Sequence, residues 1–356
     1  MGQYAAGKGF LSSWPALAVV ALVAASAARA ASAPPGGEGL RESLSPVVAL
    51  VPGDLQTLAT GRPVVKSLDG SHPTEIALLS AIRIGVSKDT FLSRFRDIAR
   101  FKLGGPVLQI GKLSAPPQLA DFDGLTLDPV DVDALRKCHP GDCHFALTTD
   151  AMTRVAREID WSAPDAGRQA ERWVRQWLLD LATAYLAKGK SALPVYATRQ
   201  PSVDVAANFA AIVEASPPVL GFTPALAAYL RDFPLGSLPD SEQFLYWSQE
   251  NVGAKPIISM THVVIHHEST RSDRVAIASK QLYASHYLLA SLGLTFVVDD
   301  VAAPAAEAYL VYLNRSRSDA LVGFLGPLRR SIVRSRARAG AEKTMLGMQR
   351  RLSSRP

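Results

Sequence analysis

The feature that most constrains the fold is the stretch over residues 241–352, where several β-strand patterns are followed by one long basic helix. The predicted strands cover residues 244–247, 257–267, 275–287, 292–298 and 308–313, and Gly293 is a candidate β-bulge. Beyond them, apolar residues recur about once per helical turn from Leu321 to Leu352, with Pro327 near the start of the long helix. Successive strands closed by a helix predict an α+β fold, in which a curved antiparallel sheet packs against the C-terminal helix.

The segments upstream attach to that unit. A strand pattern over residues 75–86 is followed by a helix that Ser87 caps, and residues 107–113 form a further strand. Residues 150–234 change to helical periodicity, in which Trp173 and Trp177 favour core packing over a ligand platform and Asp204 can cap a further helix. The predicted divisions are a signal peptide (1–30), a linker and N-terminal extension (31–73), a first part of the α+β domain (74–149), a helical insertion (150–234) and the antiparallel strands with the closing C-terminal helix (235–352).

The N-terminus has the layout of a secretory signal peptide. Lys8 is the only charged residue before a run over residues 14–28 that is almost wholly Ala, Val and Leu. Ala28-Arg29-Ala30 then offers a small-residue cleavage site. The run is short for a membrane-spanning helix, which needs about 20 apolar residues. We therefore expect an exported, periplasmic protein, and the sequence leaves open whether the segment is cleaved or retained as an anchor.

The two cysteines, Cys138 and Cys143, flank a Pro-Gly turn. In an oxidising compartment, two thiols this close in sequence predict a disulfide that closes a short loop. The same residues, followed by His144, also match a lengthened form of the attachment pattern of c-type haem. The Pro-Gly turn inside the loop and the departure from the usual spacing favour the disulfide.

The positive charge of the chain is concentrated in its C-terminal tail. Residues 315–356 hold 11 Lys and Arg against two acidic residues, a net charge of +9 in a chain whose total is +6. The candidate membrane-facing arginines are Arg329, Arg330, Arg334, Arg336 and Arg338. A cationic amphipathic helix binds an anionic membrane surface, or its apolar stripe packs on the sheet and its arginines are solvated. Nucleic acid is disfavoured, because the protein is expected to be exported and aromatic residues do not interleave the charges.

The spacing of the candidate metal-binding and catalytic residues does not match known metal-binding motifs. His262 and His266 lie on a predicted strand, where about 3.3 Å per residue puts them ~13 Å apart, too far for one zinc ion. Pairing of either with His286 across strands is the remaining metal alternative. The aspartates around Asp128 lack the order of a calcium loop, and Asp128 itself fits a helix cap before Pro129. We predict no metal and no cofactor.

The order of elements resembles the helix-grip fold of the START-like and polyketide-cyclase-like superfamily. The residues that carry the resemblance are 75–101, for the opening strand and helix, and 244–352, for the antiparallel run and closing helix. This is under half of the chain, it includes no diagnostic motif, and the helices over residues 150–234 depart from the pattern. The resemblance implies an apolar ligand held between the sheet and the terminal helix.

These observations lead to one preferred function and two alternatives. We expect an exported, non-catalytic protein that binds a hydrophobic small molecule or lipid in a cavity between the sheet and the C-terminal helix. The first alternative is a periplasmic electron-transfer protein with covalent haem at Cys138, Cys143 and His144. The second is a cyclase-like enzyme whose general acid–base pocket uses His262 or His286.

Overall fold

The computed structural model describes residues 50–198, 202–216, 223–251, 255–268, 272–300, 307–321 and 326–353. The predicted signal peptide (1–30) lies outside the described residues, as does the first part of the predicted linker, up to residue 49.

The described chain alternates helices and strands along most of its length. The strands are β1 (Val64–Leu68), β2 (Glu75–Ile84), β3 (Val107–Lys112), β4 (Val195–Tyr196), β5 (Val203–Asp204), β6 (Ser241–Glu250), β7 (Ile257–His266), β8 (Arg274–Ala284), β9 (Leu288–Asp299) and β10 (Ala308–Ser318). The α-helices are α1 (Pro52–Ala59), α2 (Lys88–Arg96), α3 (Ile98–Lys102), α4 (Pro129–Arg136), α5 (Thr149–Glu158), α6 (Ala166–Lys188), α7 (Val205–Glu214), α8 (Pro224–Asp232) and α9 (Gly326–Ser353). Short 3-10 turns cover Leu119–Phe122, Gly189–Ala192 and Asp319–Leu321.

Eight strands form one antiparallel sheet in the order β1-β2-β10-β9-β8-β7-β6-β3. The five strands from β6 to β10 are neighbours in both sequence and space. The earlier strands flank them, with β2 and β1 beside β10 and β3 beside β6. The predicted α+β class, with a large antiparallel sheet, a long C-terminal helix and additional helices, is confirmed.

Several local predictions are also confirmed by side-chain contacts. The Ser87 hydroxyl accepts a hydrogen bond from the backbone N–H of Thr90 at the start of α2. The Asp128 carboxylate caps α4, and the Asp204 carboxylate caps α7. Each cap satisfies a backbone donor that has no partner within its own helix.

Gly293 differs from expectation. Its sequence context indicates a β-bulge, but β9 pairs through Gly293 on both sides without a shift in register. A Cβ atom at this position would lie 3.0 Å from the ring of Tyr312 on β10. The glycine is therefore explained by the close approach of a neighbouring side chain.

Both faces of the sheet are covered. On one face, helices of residues 129–232 pack against the sheet through large side chains such as Trp177 and Tyr185. On the other, Phe91 and Ile98 of α2 and α3 pack with the end of α9. The residues 150–234, predicted as an insertion, thus lie mainly in a layer that buries one whole face of the sheet.

Among the described side chains of the C-terminal helix α9, those that are buried lie in its last turns. Met345 and Leu352 are buried, and the Gln349 side-chain amide donates hydrogen bonds to the backbone oxygens of Gly61 and Arg83. Leu328 and Ile332, in contrast, are 58% and 43% exposed. The prediction that the apolar stripe of this helix packs on the sheet is therefore right for its final part and wrong for its first turns.

Among the described residues, no helix has both the length and the apolar character needed to cross a bilayer.

The uneven packing of α9 predicts a contrast between two substitutions in the same helix. Met345→Ala is expected to lower the free energy of unfolding by about 2–4 kcal/mol, because it leaves a cavity beside β2. Ile332→Ala, the matched control, is expected to change it by less than about 0.5 kcal/mol. Urea unfolding of both variants measures the difference, and equal losses would contradict this description of the helix.

Candidate functional site

A cavity of about 510 Å³ lies between helices α7 and α8 and the sheet. Its inner walls are apolar and buried, and they include Leu193, Phe209, Val213, Ala227 and Leu230. Charged residues that also line the cavity and are themselves exposed are Lys190, Glu214, Arg231 and Asp232. The site therefore combines an apolar interior with charged groups that reach solvent.

Two local features place the walls of this cavity. Asp204 caps α7 and so fixes the start of the helix that carries Phe209 and Val213. Gly189 ends α6 with a φ of 58°, and any Cβ there would collide with the backbone carbonyl of Phe233. This close approach brings the 3-10 turn after α6 against the end of α8, where Lys190 and Leu230 both line the cavity.

Lys280 of β8 reaches the cavity from the sheet side. Its side chain is buried, with the residue only 1% exposed, and no carboxylate among the described residues forms an ion pair with it. The ammonium nitrogen lies 4.3 Å from the ring centre of Phe209 and 5.3 Å from that of Tyr185. Its hydrogen-bond acceptor is the backbone oxygen of Leu230, at 3.5 Å, in the last turn of α8. Aromatic faces and the negative end of a helix stabilise a cation, but less than a carboxylate does.

Burial, followed by the nearby positive charge of Lys190, lowers the pKa of Lys280 to about 8. The cause is the loss of hydration, which disfavours the charged form of an amine. Lys280 therefore presents to the cavity an amine that is far easier to deprotonate than an ordinary surface lysine.

A chain of hydrogen-bonded polar side chains begins next to this amine and ends at the exposed Gln243. His262 of β7 is the cross-strand partner of Lys280. The hydroxyl of Tyr185 lies 3.0 Å from Nδ1 of His262, and Oε1 of Gln243 lies 2.9 Å from Nε2. The hydroxyl of Tyr229 donates to the same Gln243 oxygen at 2.9 Å. Because an amide oxygen only accepts, Nε2 of His262 carries the proton and Nδ1 accepts from Tyr185.

Burial, followed by the charge of Lys280, lowers the pKa of His262 to about 3. The imidazole is therefore neutral at physiological pH, which matches the one-donor, one-acceptor pattern of its hydrogen bonds. With both ring nitrogens already engaged by protein groups, His262 fits a structural role better than that of a general base.

A second cavity, of about 420 Å³, lies at the end of β3. It is lined by His262 and Gln243 and by apolar residues that include Leu113, Leu186 and Leu245. The hydrogen-bonded residues Tyr185, His262 and Gln243 thus extend from the neighbourhood of Lys280 to this second cavity. No described residue of α9 lines either of these two cavities.

The predicted disulfide is confirmed, since Cys138 and Cys143 are bonded to each other. Covalent haem needs both sulfurs as thioethers, so the bonded pair lacks the free thiols for that attachment. His144, the proposed iron ligand, is exposed. The loop is held by backbone hydrogen bonds from Gly141 and Cys143 to the carbonyl oxygens of residues 197 and 198, directly after β4.

The remaining predicted candidates have structural partners. Nε2 of His286 lies 2.8 Å from a carboxylate oxygen of Asp131, and both residues are buried. This pair ties α4 to the turn after β8, and neither residue lines the two cavities described above. Within the described part of the chain, no group of three or more His, Cys, Asp or Glu residues could hold a metal ion.

The five candidate membrane-facing arginines lie in the first half of α9. Arg329, Arg334, Arg336 and Arg338 are exposed, and Arg330 is half-buried. They surround the exposed apolar residues Leu328 and Ile332 rather than an apolar stripe that is fully packed on the sheet.

Lys280 was missed by the sequence reasoning. It stands in the segment Val275-Ala276-Ile277-Ala278-Ser279-Lys280, where one charged residue interrupts an otherwise apolar or small-residue strand. This single charged residue in an apolar strand was the sequence feature that could have identified Lys280 as a candidate site residue. The helices that bury the amine come from residues 166–232, and no spacing in the sequence relates them to β8.

Comparison with known proteins identifies no relative: no family model, no curated protein and no solved structure matches the chain. The molecule is defined by its fold and site as an α+β protein with a buried amine that has no carboxylate partner among the described residues and that lines an apolar cavity.

The buried amine predicts a pH-dependent stability difference. The pKa of Lys280 is about 8 in the folded state, against 10.5 for an ordinary lysine, so the unfolded state binds more protons between these values. The ionisation of Lys280 therefore lowers the free energy of unfolding below pH 8, and this destabilisation is lost as the pH rises toward 10.5. Lys280→Met is expected to raise the free energy of unfolding at pH 7 by up to about 3 kcal/mol. The gain should shrink to near zero by pH 10.5.

Urea unfolding of both proteins across this pH range measures the difference. Lys190→Met, which removes an exposed lysine at the same cavity, serves as the control and should show no comparable pH dependence. If Lys280→Met is less stable than the parent at pH 7, the conclusion that the buried charge of Lys280 destabilises the folded state is wrong.

Proposed function

We propose that this chain is an exported binding protein that holds a hydrophobic small molecule or lipid in the cavity of Leu193, Phe209, Val213, Ala227 and Leu230, with an oxygen-bearing end of the ligand at Lys280. The observation that carries this proposal is the buried amine on the wall of an apolar cavity, which has no carboxylate partner in the described part of the chain.

The size and lining of the cavity support such a ligand. Sites for small molecules are typically clefts of roughly 300–1,000 Å³, mostly apolar, with a few placed polar groups that orient the ligand. The cavity of about 510 Å³ falls in this range, and Lys280 is its one buried charged residue among the described lining.

Charge energetics support the position of the polar end. A buried cation without an anion or a full set of hydrogen bonds is costly. A carboxylate or carbonyl oxygen at Lys280 would supply the acceptor that the described protein groups provide only in part, through the Leu230 oxygen at 3.5 Å. Ligand binding would thereby offset part of the free-energy cost of burying the charged form of Lys280.

The order of elements supports the helix-grip resemblance as part of this proposal. Apart from the elements that lie between β3 and β6, strand β2 is followed by two short helices, strand β3, the five-strand run β6–β10 and the long helix α9. The expected site between the sheet and the terminal helix is replaced in our proposal by the cavity on the opposite face, under α7 and α8. The added helical layer provides the wall that encloses it.

Export is supported by the disulfide and by the apolar N-terminal run. The bond between Cys138 and Cys143 is of a kind that persists in oxidising compartments. The segment before residue 31 has the composition of a secretory signal.

The ligand proposal is tested by titration with dodecanoic acid, followed by native mass spectrometry and calorimetry. We expect one molecule to bind, and Ala227→Phe, which fills the cavity, to weaken the affinity at least about tenfold. Ala339→Phe is the matched control at an exposed position of α9 and should leave binding unchanged. Absence of binding to the parent protein, or equal effects of the two substitutions, would overturn the proposal.

The exposed first half of α9 favours a second activity, attachment to an anionic membrane surface. Four exposed arginines stand beside Leu328 and Ile332, which are both partly exposed to solvent. Interfacial helices combine these two features, since charge attracts them to the surface and apolar side chains insert into it. A carrier of an amphiphilic ligand would then collect or deliver it at the membrane.

Vesicle sedimentation tests this attachment. Removing two charges with Arg334→Gln and Arg338→Gln is expected to weaken binding to vesicles with phosphatidylglycerol by about 2 kcal/mol, or roughly thirtyfold, at low salt. The control pair is Arg100→Gln and Arg168→Gln, which removes two exposed arginines elsewhere in the chain. If both pairs weaken binding equally, the effect belongs to net charge and the assignment to α9 is wrong.

A further inference from the structure

The amine of Lys280 has surroundings that differ from those of other lysines at the same cavity. Lys190 also lines the cavity but is exposed, so water hydrates its ammonium group. Lys280 is reached from the cavity, is 1% exposed, and rests against two aromatic rings. A lysine desolvated in an apolar pocket, near a second positive charge, is the arrangement in which a lysine acts as a nucleophile.

Hydrogen bonds do not block this nitrogen. Among the described residues, its acceptor is the Leu230 backbone oxygen, and an amine that donates to one carbonyl keeps its lone pair when it is neutral. In a salt bridge, by comparison, a carboxylate would hold the group in its protonated form.

We propose that Lys280 forms a reversible covalent imine with an apolar aldehyde or ketone that enters the cavity under α7 and α8. This inference rests on the ligand site proposed above and specifies the oxygen-bearing end of the ligand as a carbonyl group. The lowered pKa of the amine is consistent with it, because the neutral form is the reactive one.

The reaction balances without an oxidant or a reductant. The nitrogen lone pair of Lys280 attacks the carbonyl carbon and forms a carbon–nitrogen bond, which gives a carbinolamine after proton transfer. The carbon–oxygen bond then breaks, and the oxygen leaves as water with the two protons that the amine nitrogen has lost. Hydrolysis reverses each step and releases the ligand unchanged, so the chemistry serves capture and release.

The groups around Lys280 suit imine formation, because apolar walls shield the nitrogen and charged groups at the rim of the cavity reach solvent. The buried wall groups, Phe209, Val213 and Leu230, exclude water from the nitrogen. The exposed carboxylates of Glu214 and Asp232 line the same cavity, where they can exchange protons with solvent during formation and hydrolysis.

The test is reductive trapping of the imine in the full-length protein. Protein at pH 7 is incubated with a limiting amount of hexanal and sodium cyanoborohydride, which reduces the imine to a stable secondary amine. Peptide mapping by mass spectrometry then gives the occupancy of each lysine. Lys343, an exposed lysine of α9, is the internal reference.

We expect the initial rate of hexyl labelling at Lys280 to exceed that at Lys343 at least about tenfold. The pKa of about 8 makes the neutral amine more abundant at pH 7, which outweighs the lower intrinsic nucleophilicity of a weaker base. Dodecanoic acid, as a competitor for the cavity, should suppress labelling at Lys280 and leave Lys343 unaffected. Lys280→Met should remove the fast phase of labelling, whereas Ala339→Phe, the control at an exposed position of α9, should retain it.

The outcomes separate this inference from the ligand proposal. If dodecanoic acid binds and Ala227→Phe weakens it, but Lys280 is labelled no faster than Lys343, the imine is excluded and the carrier function stands. If dodecanoic acid does not bind and Lys280 is not labelled, both proposals fail. The labelling rate of the parent protein decides the question even if Lys280→Met does not fold.

Discussion

The constraint on which the rest of the structure depends is the burial of one antiparallel sheet on both faces. Strands β7 and β8 are buried along nearly their whole lengths, so neither face can remain in water. One face is covered by α2, α3 and the end of α9, and the other by the helices of residues 129–232. The two apolar layers together stabilise an arrangement in which strands from distant parts of the sequence become neighbours.

Within that apolar layer, a cross-strand pair of polar residues stands out. Lys280 and His262 are adjacent on β8 and β7, and both are buried. His262 is satisfied on both nitrogens by Tyr185 and Gln243, so its burial is offset by hydrogen bonds. The burial of Lys280 is not offset to the same extent by hydrogen bonds. Of the two residues, Lys280 lines the cavity of about 510 Å³. The contrast between the two neighbours fits a structural role for the histidine and is the basis of our proposal that the lysine contacts a ligand.

Local chemistry made much of the fold predictable. Ser87, Asp128 and Asp204 were identified as helix caps from sequence because a cap depends only on residues within a few positions of it. The disulfide was predictable for the same reason, since Cys138 and Cys143 are joined across a short turn. Gly293 was misjudged because its neighbour Tyr312 belongs to another strand. The first turns of α9 were misjudged because the same apolar period arises whether or not a surface lies opposite to it.

By itself, the sequence determined the α+β class, the extended strands, the long C-terminal helix, the caps and the sulfur bridge, because period, turn residues and short spacings encode them locally. The tertiary structure alone decided which face of the sheet holds a cavity and which polar residues line it. Burial of Lys280 depends on α6, α7 and α8, which precede β8 by tens of residues and meet it only after the sheet has assembled. The energetics of that amine arise from the removal of water by distant segments, and no local pattern carries that information.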